Sequence, residues 1–156
     1  MRSVSLDVES GSLHAVVGPS GCGKSTLLYI LGLLDKPDAG SLQIGATPIT
    51  HLNDEELARR LNALIGFIFQ FYFLMEDFTA QENVMIPILA DEPTGNLDTR
   101  NSQRAFQLLA NIVRKRAKAL LLVTHNRFIA DACDWVHEMK DGRIIASHPR
   151  GERISV

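Results

Sequence analysis

The sequence predicts an α/β fold in which helices flank a mostly parallel sheet, and three segments carry that prediction. Residues 13–17 are an apolar run that leads into a glycine-rich loop and then a helix over 25–34. Residues 120–123 are uninterruptedly apolar, as in a parallel strand buried on both faces. Residues 102–115 repeat apolar positions at helical spacing. The face they form consists of Phe106, Leu109, Ala110 and Val113.

Weaker local patterns predict the remaining elements. They are an edge strand over 4–8, a strand over 41–44, a helix capped by Asn53 with Glu56, a strand over 65–68 and a short helix over 128–133. The turn residues Asp141 and Gly142 between two apolar runs predict a hairpin. The N-terminal strands are expected to build an antiparallel β portion.

Composition bounds the class of protein. The 156 residues suffice for a single domain, predicted over 1–156, and a hydrophobic content of 46% indicates a globular chain. A net charge of −2 disfavours a general nucleic-acid binder. No apolar run approaches the ~18–20 residues of a membrane span, and the N-terminus has no signal-peptide pattern. We therefore expect a cytoplasmic protein with two reduced thiols, Cys22 and Cys133.

Residues 18–26, GPSGCGKST, match the phosphate-binding pattern G-x-x-x-x-G-K-[ST]. Glycines let successive backbone N–H groups face phosphate oxygens, and a helix N-terminus favours anions. Lys24 would place its charge on the outer phosphates, and the Ser25 hydroxyl can ligate Mg²⁺. A plain glycine-rich turn is disfavoured by the strand–loop–helix context. The predicted nucleotide contacts are Gly18, Pro19, Ser20, Gly21, Cys22, Gly23, Lys24, Ser25 and Thr26.

A second motif, DEPTGNLD over 91–98, follows the apolar residues 88–90. Asp91 would reach Mg²⁺ through its water shell, and Glu92 would polarise the water that attacks the γ-phosphate. A lone Asp-Glu pair is usually solvated surface, but the whole octapeptide is far more specific. Together the two motifs resemble the nucleotide-binding domain of ABC transporters, which are P-loop NTPases. The resemblance implies ATP and Mg²⁺ as ligands. It also implies a dimer-interface loop containing Asn96, Leu97 and Asp98.

Two further residues match the same family. Gln70, after the predicted strand over 65–68, resembles the glutamine that contacts Mg²⁺ and the attacking water. His125 ends the run LLVTH and resembles the switch histidine that contacts the γ-phosphate. An isolated histidine at a strand end is more often structural, but its distance after the acidic motif favours the catalytic interpretation.

Four segments, over 66–71, 77–80, 95–101 and 106–109, are most similar to ATPases of lipoprotein-releasing transporters. Macrolide-export and cell-division ATPases are close relatives. This resemblance implies transmembrane permease subunits as partners and a location on the cytoplasmic face of the inner membrane. The apolar stretch from Phe71 to Phe78 is the expected docking surface, with core packing as the alternative.

The family's helical subdomain and its signature sequence are missing. No Ser-Gly-Gly occurs, and Lys24 lies only 67 residues before Asp91. The resemblance falls in two blocks, 1–90 and 91–156, as expected for an internal deletion. Pro87 cannot donate a ladder hydrogen bond, so it can at best begin a strand over residues 88–90. Asp91 and Glu92 lie near Lys24 only if that strand inserts between its neighbours in the sheet. None of the 17 residues before Gly18 is an aromatic that could stack on adenine.

Two functions therefore stay open. One is an ATP-hydrolysing transporter subunit that drives lipoprotein release. The other is a remnant that binds nucleotide with little or no turnover, since the signature loop of a partner subunit normally completes the charge stabilisation. A DNA-repair ABC ATPase is disfavoured because coiled-coil and zinc-binding insertions are absent. A small P-loop kinase is disfavoured by the octapeptide and His125.

Overall fold

The structure, a computed structural model, describes residues 1–49, 52, 66–68, 88–91 and 99–152. Its strands are β1 (Leu13–Val17), β2 (Gln43–Ile44), β3 (Thr47–Pro48), β4 (Gly66–Ile68), β5 (Ile88–Asp91), β6 (Leu120–Val123), β7 (Trp135–Lys140) and β8 (Arg143–Pro149). Its helices are α1 (Lys24–Leu31), α2 (Thr99–Lys115) and α3 (Arg127–Ala132).

A six-stranded sheet in the order β4-β5-β6-β1-β7-β8 forms the centre of the described chain. Neighbours from β4 to β7 pair in parallel, and only β8 runs antiparallel to its neighbour. The mostly parallel sheet is thus confirmed, and an antiparallel portion is present. It is formed by the C-terminal pair β7–β8 and by a separate β2–β3 pair, and the expected N-terminal edge strand does not contribute to it. Parallel order brings the carboxyl ends of five strands to one edge, where ligands of open α/β sheets bind.

The predicted N-terminal edge strand is wrong, because residues 1–9 pair with no strand of the described sheet. The alternation over 4–8 has another cause. Val4, Leu6 and Val8 are half-buried and pack against the core cluster beside α1, whereas the residues between them are exposed. Alternation of apolar and polar residues shows that one face of an extended segment is buried. Such a segment can bury one face without forming the hydrogen-bonded ladder of a strand.

Helices cover both faces of the sheet. Alternation along β1 sends Leu13 and Ala15 into a cluster with α2 and α3, and Val16 into a cluster with α1. Helix α2 confirms the face predicted over 102–115. Its buried members are Phe106, Ala110 and Val113. Within the described ranges, no helix is both long and apolar enough to cross a bilayer.

Helix α1 ends earlier than the sequence predicts. Leu33 adopts a left-handed φ of 60° and donates its N–H to the carbonyl of Ile30, while Leu34 donates to Tyr29. This pair of hydrogen bonds is the Schellman arrangement, which satisfies terminal carbonyls and stops the helix at Leu31. The short helix and the hairpin near the C-terminus are confirmed as α3 and β7–β8. The helix predicted at Asn53 lies outside the described residues.

Strand β5 meets the condition that decides whether the acidic motif can reach the phosphate loop. It inserts in parallel between β4 and β6, with Ile88 opposite Leu120 and Asp91 opposite Val123. Strand β6 is also the neighbour of β1, which leads into the phosphate loop. Strand β5 therefore ends two strands from the loop, and the acidic motif begins at that end.

A buried polar network crosses β1, β7 and β8. The ring nitrogens of His14 and His137 lie 2.9 Å apart, with Ser12 and Ser147 each 2.8 Å from the outer nitrogens. Ser12 donates its single proton to the carbonyl of Glu9, so His14 must donate to Ser12 through Nε2. His137 then donates through Nε2 to His14 Nδ1, and Ser147 donates to His137 Nδ1. The bonding pattern fits two neutral rings.

Burial explains why the two rings stay neutral. The side chains are 2% and 4% exposed, and removal from water disfavours the charged form. Burial lowers the pKa of His14, although the carboxylates of Asp134 and Glu9 act in the opposite direction. For His137, burial and then the neighbouring His14 lower the pKa to about 4.

Candidate functional site

The glycine-rich loop joins β1 to α1 and adopts the backbone that its motif predicts. Gly18, Gly21 and Gly23 have φ values of 154°, 75° and 103°, a region that residues with a side chain rarely adopt. The glycines are therefore required by the loop conformation itself. Successive backbone amides can turn inward only because these positions carry no Cβ.

Lys24 lies at the first position of α1 and folds back across the loop. Its Nζ donates to the carbonyls of Gly18 and Pro19, at 3.0 and 2.9 Å. The charge is thereby held over the loop rather than extended into solvent. The first turn of α1 has no acidic residue and no side-chain cap, so nothing there opposes an anion.

Ser25 and Thr26 complete the motif on the first turn of α1, and both are exposed. Pro19, Ser20 and Gly21 form the exposed tip of the loop. Cys22 is the exception among the predicted contacts. It is 5% exposed and packs in the core cluster beneath the loop, so its side chain cannot be the group that meets solvent or ligand.

Asp91 lies at the same edge of the sheet as the loop. Its Cα pairs with that of Val123, which in turn pairs with Val16 of β1. With strands about 4.8 Å apart, the Asp91 backbone lies about 10 Å from β1. The end of β5 therefore lies two strands from the strand that leads into the loop.

His125 follows β6 at this edge, and its ring is exposed. The backbone around it is fixed: Thr124 is fully buried, donates its N–H to the Val16 carbonyl, and accepts from the N–H of Asn126 through Oγ1. His125 lines a cleft of about 1200 Å³ together with Gly18 and Pro19. The structure thus brings the predicted switch histidine to a cleft that the first two residues of the phosphate loop also line, together with residues of α3, β7 and β8.

The other predicted site residues cannot be placed. Gln70, Glu92, Asn96, Leu97 and Asp98 lie outside the described residues, as does the docking stretch from Phe71 to Phe78. Their roles remain predictions. Among the described residues, no group of three or more His, Cys, Asp or Glu side chains forms a metal cluster. The oxygen donors expected for Mg²⁺, the Ser25 hydroxyl and the Asp91 carboxylate, suit a hard cation.

Sequence reasoning missed two residues that contact the loop from below, Met139 and Gly142. Met139 is 1% exposed, and Gly142 donates its N–H to the Cys22 carbonyl at 2.9 Å. The hairpin signal around Gly142 was visible in the sequence, but its contact with a loop about 120 residues earlier was not.

Comparison with known proteins agrees with the family resemblance of the sequence motifs. The family model described as ABC transporter matches residues 1–143. The lipoprotein-releasing system ATP-binding protein LolD of Anaeromyxobacter dehalogenans is 35% identical over 205 residues, covering 96% of this chain and 86% of the relative. LolD 1 of Rhodopseudomonas palustris is 34% identical, covering 92% of this chain and 88% of the relative.

A solved structure of a dimeric ATP-binding cassette, in a post-hydrolysis state bound to ADP and Pi, superposes with a TM-score of 0.86. It is 26% identical and is matched over 98% of this chain and 91% of its own. The alignment with the Anaeromyxobacter relative runs over 205 residues, whereas this chain has 156. At least 49 aligned positions therefore have no residue here, in agreement with an internal deletion.

Proposed function

The chain belongs to the ABC transporter family of ATP-binding proteins, and we propose that it is the ATP-binding subunit of a transporter that releases lipoproteins from the inner membrane. The observation that carries the proposal is the assembled edge of the sheet. The phosphate loop follows β1, Asp91 ends β5 and His125 follows β6, so all three lie at this edge although the stretch between β4 and β5 is shortened. The relatives named for lipoprotein release support the choice of substrate.

Phosphate binding follows from the loop. Its amides would face the β- and γ-phosphates, and Lys24 would exchange the carbonyls of Gly18 and Pro19 for phosphate oxygens. Ser25, Asp91 and Gln70 would hold Mg²⁺, which when bound neutralises charge on the same phosphates.

Hydrolysis would use three side chains. Glu92, next to Asp91, would polarise the attacking water, and Gln70 would orient it. His125 would donate a hydrogen bond to the γ-phosphate from its side of the cleft. Asn96, Leu97 and Asp98 would cross to a second subunit, as suits a family whose solved members include dimers.

A second candidate is nucleotide binding with little turnover, and the missing signature sequence favours it. ATP hydrolysis is the activity of the family, but each site draws part of its charge stabilisation from the signature loop of the partner subunit. A symmetric dimer of this chain has no such loop to give to either site. Removing a single oxyanion-hole donor costs about 10²–10³ in rate in a well-studied enzyme, so losing the whole signature loop should cost at least as much.

The transport role requires permease subunits, and the stretch from Phe71 to Phe78 is our proposed docking surface for them. It contains an apolar run that a lone domain rarely leaves uncovered. Docking there would place the chain on the cytoplasmic face of the inner membrane. Macrolide-export and cell-division systems use similar subunits and are the alternatives for the membrane partner.

The decisive experiment measures Mg²⁺-ATP binding and steady-state hydrolysis on the purified chain. Lys24→Ala should weaken binding about tenfold or more, whereas Lys115→Ala, an exposed lysine at the end of α2, should leave it unchanged. Turnover that Glu92→Gln abolishes would establish the hydrolysing subunit. Binding without turnover above the Glu92→Gln background would establish the second candidate. Equal binding by wild type and Lys24→Ala would refute both.

A further inference from the structure

The underside of the phosphate loop rests on the last turn of the sheet. A Cβ built on Gly18 would lie 2.1 Å from the backbone oxygen of Met139, and one built on Gly23 would lie 3.1 Å from Met139 Cε. The first and last glycines of the loop therefore contact the same residue, one through its backbone and the other through its side chain.

The turn between β7 and β8 adds a hydrogen bond to the middle of the loop. Gly142, with φ of 76°, donates its N–H to the Cys22 carbonyl at 2.9 Å and accepts from the N–H of Arg2 at 2.9 Å. The preceding Asp141 is also left-handed, with φ of 48°. Two successive left-handed residues turn the Gly142 amide toward the loop, at a cost in backbone energy for Asp141.

Burial makes this support rigid. Met139 is 1% exposed and packs with Cys22, Leu27 and Leu28, so its side chain fills the space between loop, helix and sheet. Buried side chains at this packing density cannot move without opening a cavity. The end of β7 thus forms a buried, well-packed surface beneath the loop.

We propose that Met139 and Gly142 are positioning residues for nucleotide binding: they hold the phosphate loop in the conformation that presents its amides. The proposal deepens the proposed function, since it concerns the same site. Without support, the left-handed backbone of the loop would relax before ligand arrives, and binding would have to restore it. Preorganisation raises affinity by removing that cost.

Two variants test the proposal, each with a matched control. Gly142→Ala adds a Cβ that meets atoms only at 3.5 Å or beyond, so its effect comes from the left-handed backbone. Gly11→Ala imposes similar backbone strain, at φ of 81°, in a turn before β1 where a Cβ meets nothing within 4 Å. Met139→Ala removes the buried side chain that packs beneath the loop. Its control, Leu121→Ala, truncates a residue of the same cluster that lies on β6 and is 3% exposed.

Three measurements are made on each variant: ATP affinity, unfolding in urea, and amide hydrogen exchange of residues 18–24 without nucleotide. We expect Gly142→Ala and Met139→Ala to weaken ATP binding about tenfold and to speed exchange in the loop. The controls should bind within about twofold of wild type even where they unfold as easily. Met139→Leu should restore most of the affinity.

Affinity losses that follow stability alone, at control and test positions equally, would overturn the proposal. Unchanged exchange over 18–24 in both Gly142→Ala and Met139→Ala would do the same. If the wild type itself binds no ATP, the proposed function fails, but the exchange comparison still decides whether the turn holds the loop. If Met139→Ala does not fold, the comparison of Gly142→Ala with its control Gly11→Ala decides the proposal.

Discussion

Acidification should destabilise this fold through the buried pair His14 and His137. The unfolded chain takes up a proton on His137 near the ordinary pKa of 6.5, whereas the folded chain does so only near a pKa of about 4. Between these values the unfolded state binds more protons, so the free energy of unfolding falls as the pH falls. The pH window is thus from about 6.5 down to about 4.

The size of the effect follows from the two pKa values. At pH 5 the His137 ring is almost fully protonated in the unfolded chain and about one-tenth protonated in the folded one, which corresponds to about 2 kcal/mol. His14 shifts in the same direction and adds to this loss. Because small domains are stable by only about 5–15 kcal/mol, the change is readily measured.

Urea unfolding at pH 7.5, 6.5, 5.5 and 5.0 would measure it. His137→Gln keeps a side chain that can hydrogen-bond but removes the titrating ring. This variant should be less stable than wild type at pH 7.5 yet lose about 2 kcal/mol less between pH 7.5 and 5.0. Phe106→Leu, at a buried position without a titrating group, serves as the control for lost stability and should follow the wild-type pH dependence. Parallel pH profiles for wild type and His137→Gln would refute the reasoning.

Further predictions concern Asp134 and Cys133. Asp134 accepts from the N–H of Leu13 and from Arg114, each at 2.9 Å, so Asp134→Ala should cost about 1–3 kcal/mol in urea unfolding by leaving a buried N–H unpaired. Arg114→Ala should cost less than about 1 kcal/mol, since that ion pair is largely exposed; equal costs would contradict this assignment. Burial raises the pKa of the Cys133 thiol to about 12, so iodoacetamide at pH 8 should label it only after denaturation. Rapid labelling of the native protein would show that α3 opens locally.

The phosphate loop could be predicted because its motif is local, whereas the support that Met139 and Gly142 give it could not be. Glycines at three positions with left-handed φ, followed by lysine and serine, allow the turn and identify the phosphate-binding pattern. Helix α2 could also be predicted, because its apolar residues recur with the helical period and form one buried face. In both cases, the pattern within one short segment is enough to predict what that segment forms.

Features that depend on contacts between distant parts of the chain could not be predicted from the sequence. The alternation over 4–8 predicted a strand, but a ladder needs a partner edge, and sequence alternation does not reveal whether one is free. Likewise, nothing near Met139 indicates that its backbone oxygen closes the space beside Gly18. The meeting of Asp91, His125 and the loop followed from family resemblance, and the parallel register of β5 gives it a physical basis.

The insertion of β5 between β4 and β6 has a consequence for protein engineering. A crossover between parallel neighbours needs about a dozen residues, and residues 69–87 exceed that length. The parallel register of β5 is set by its pairing with β4 and β6, so the crossover is longer than this pairing alone requires. A foreign loop or binding peptide inserted within residues 79–87, beyond Gln70 and the proposed docking surface, should therefore leave β5 between β4 and β6.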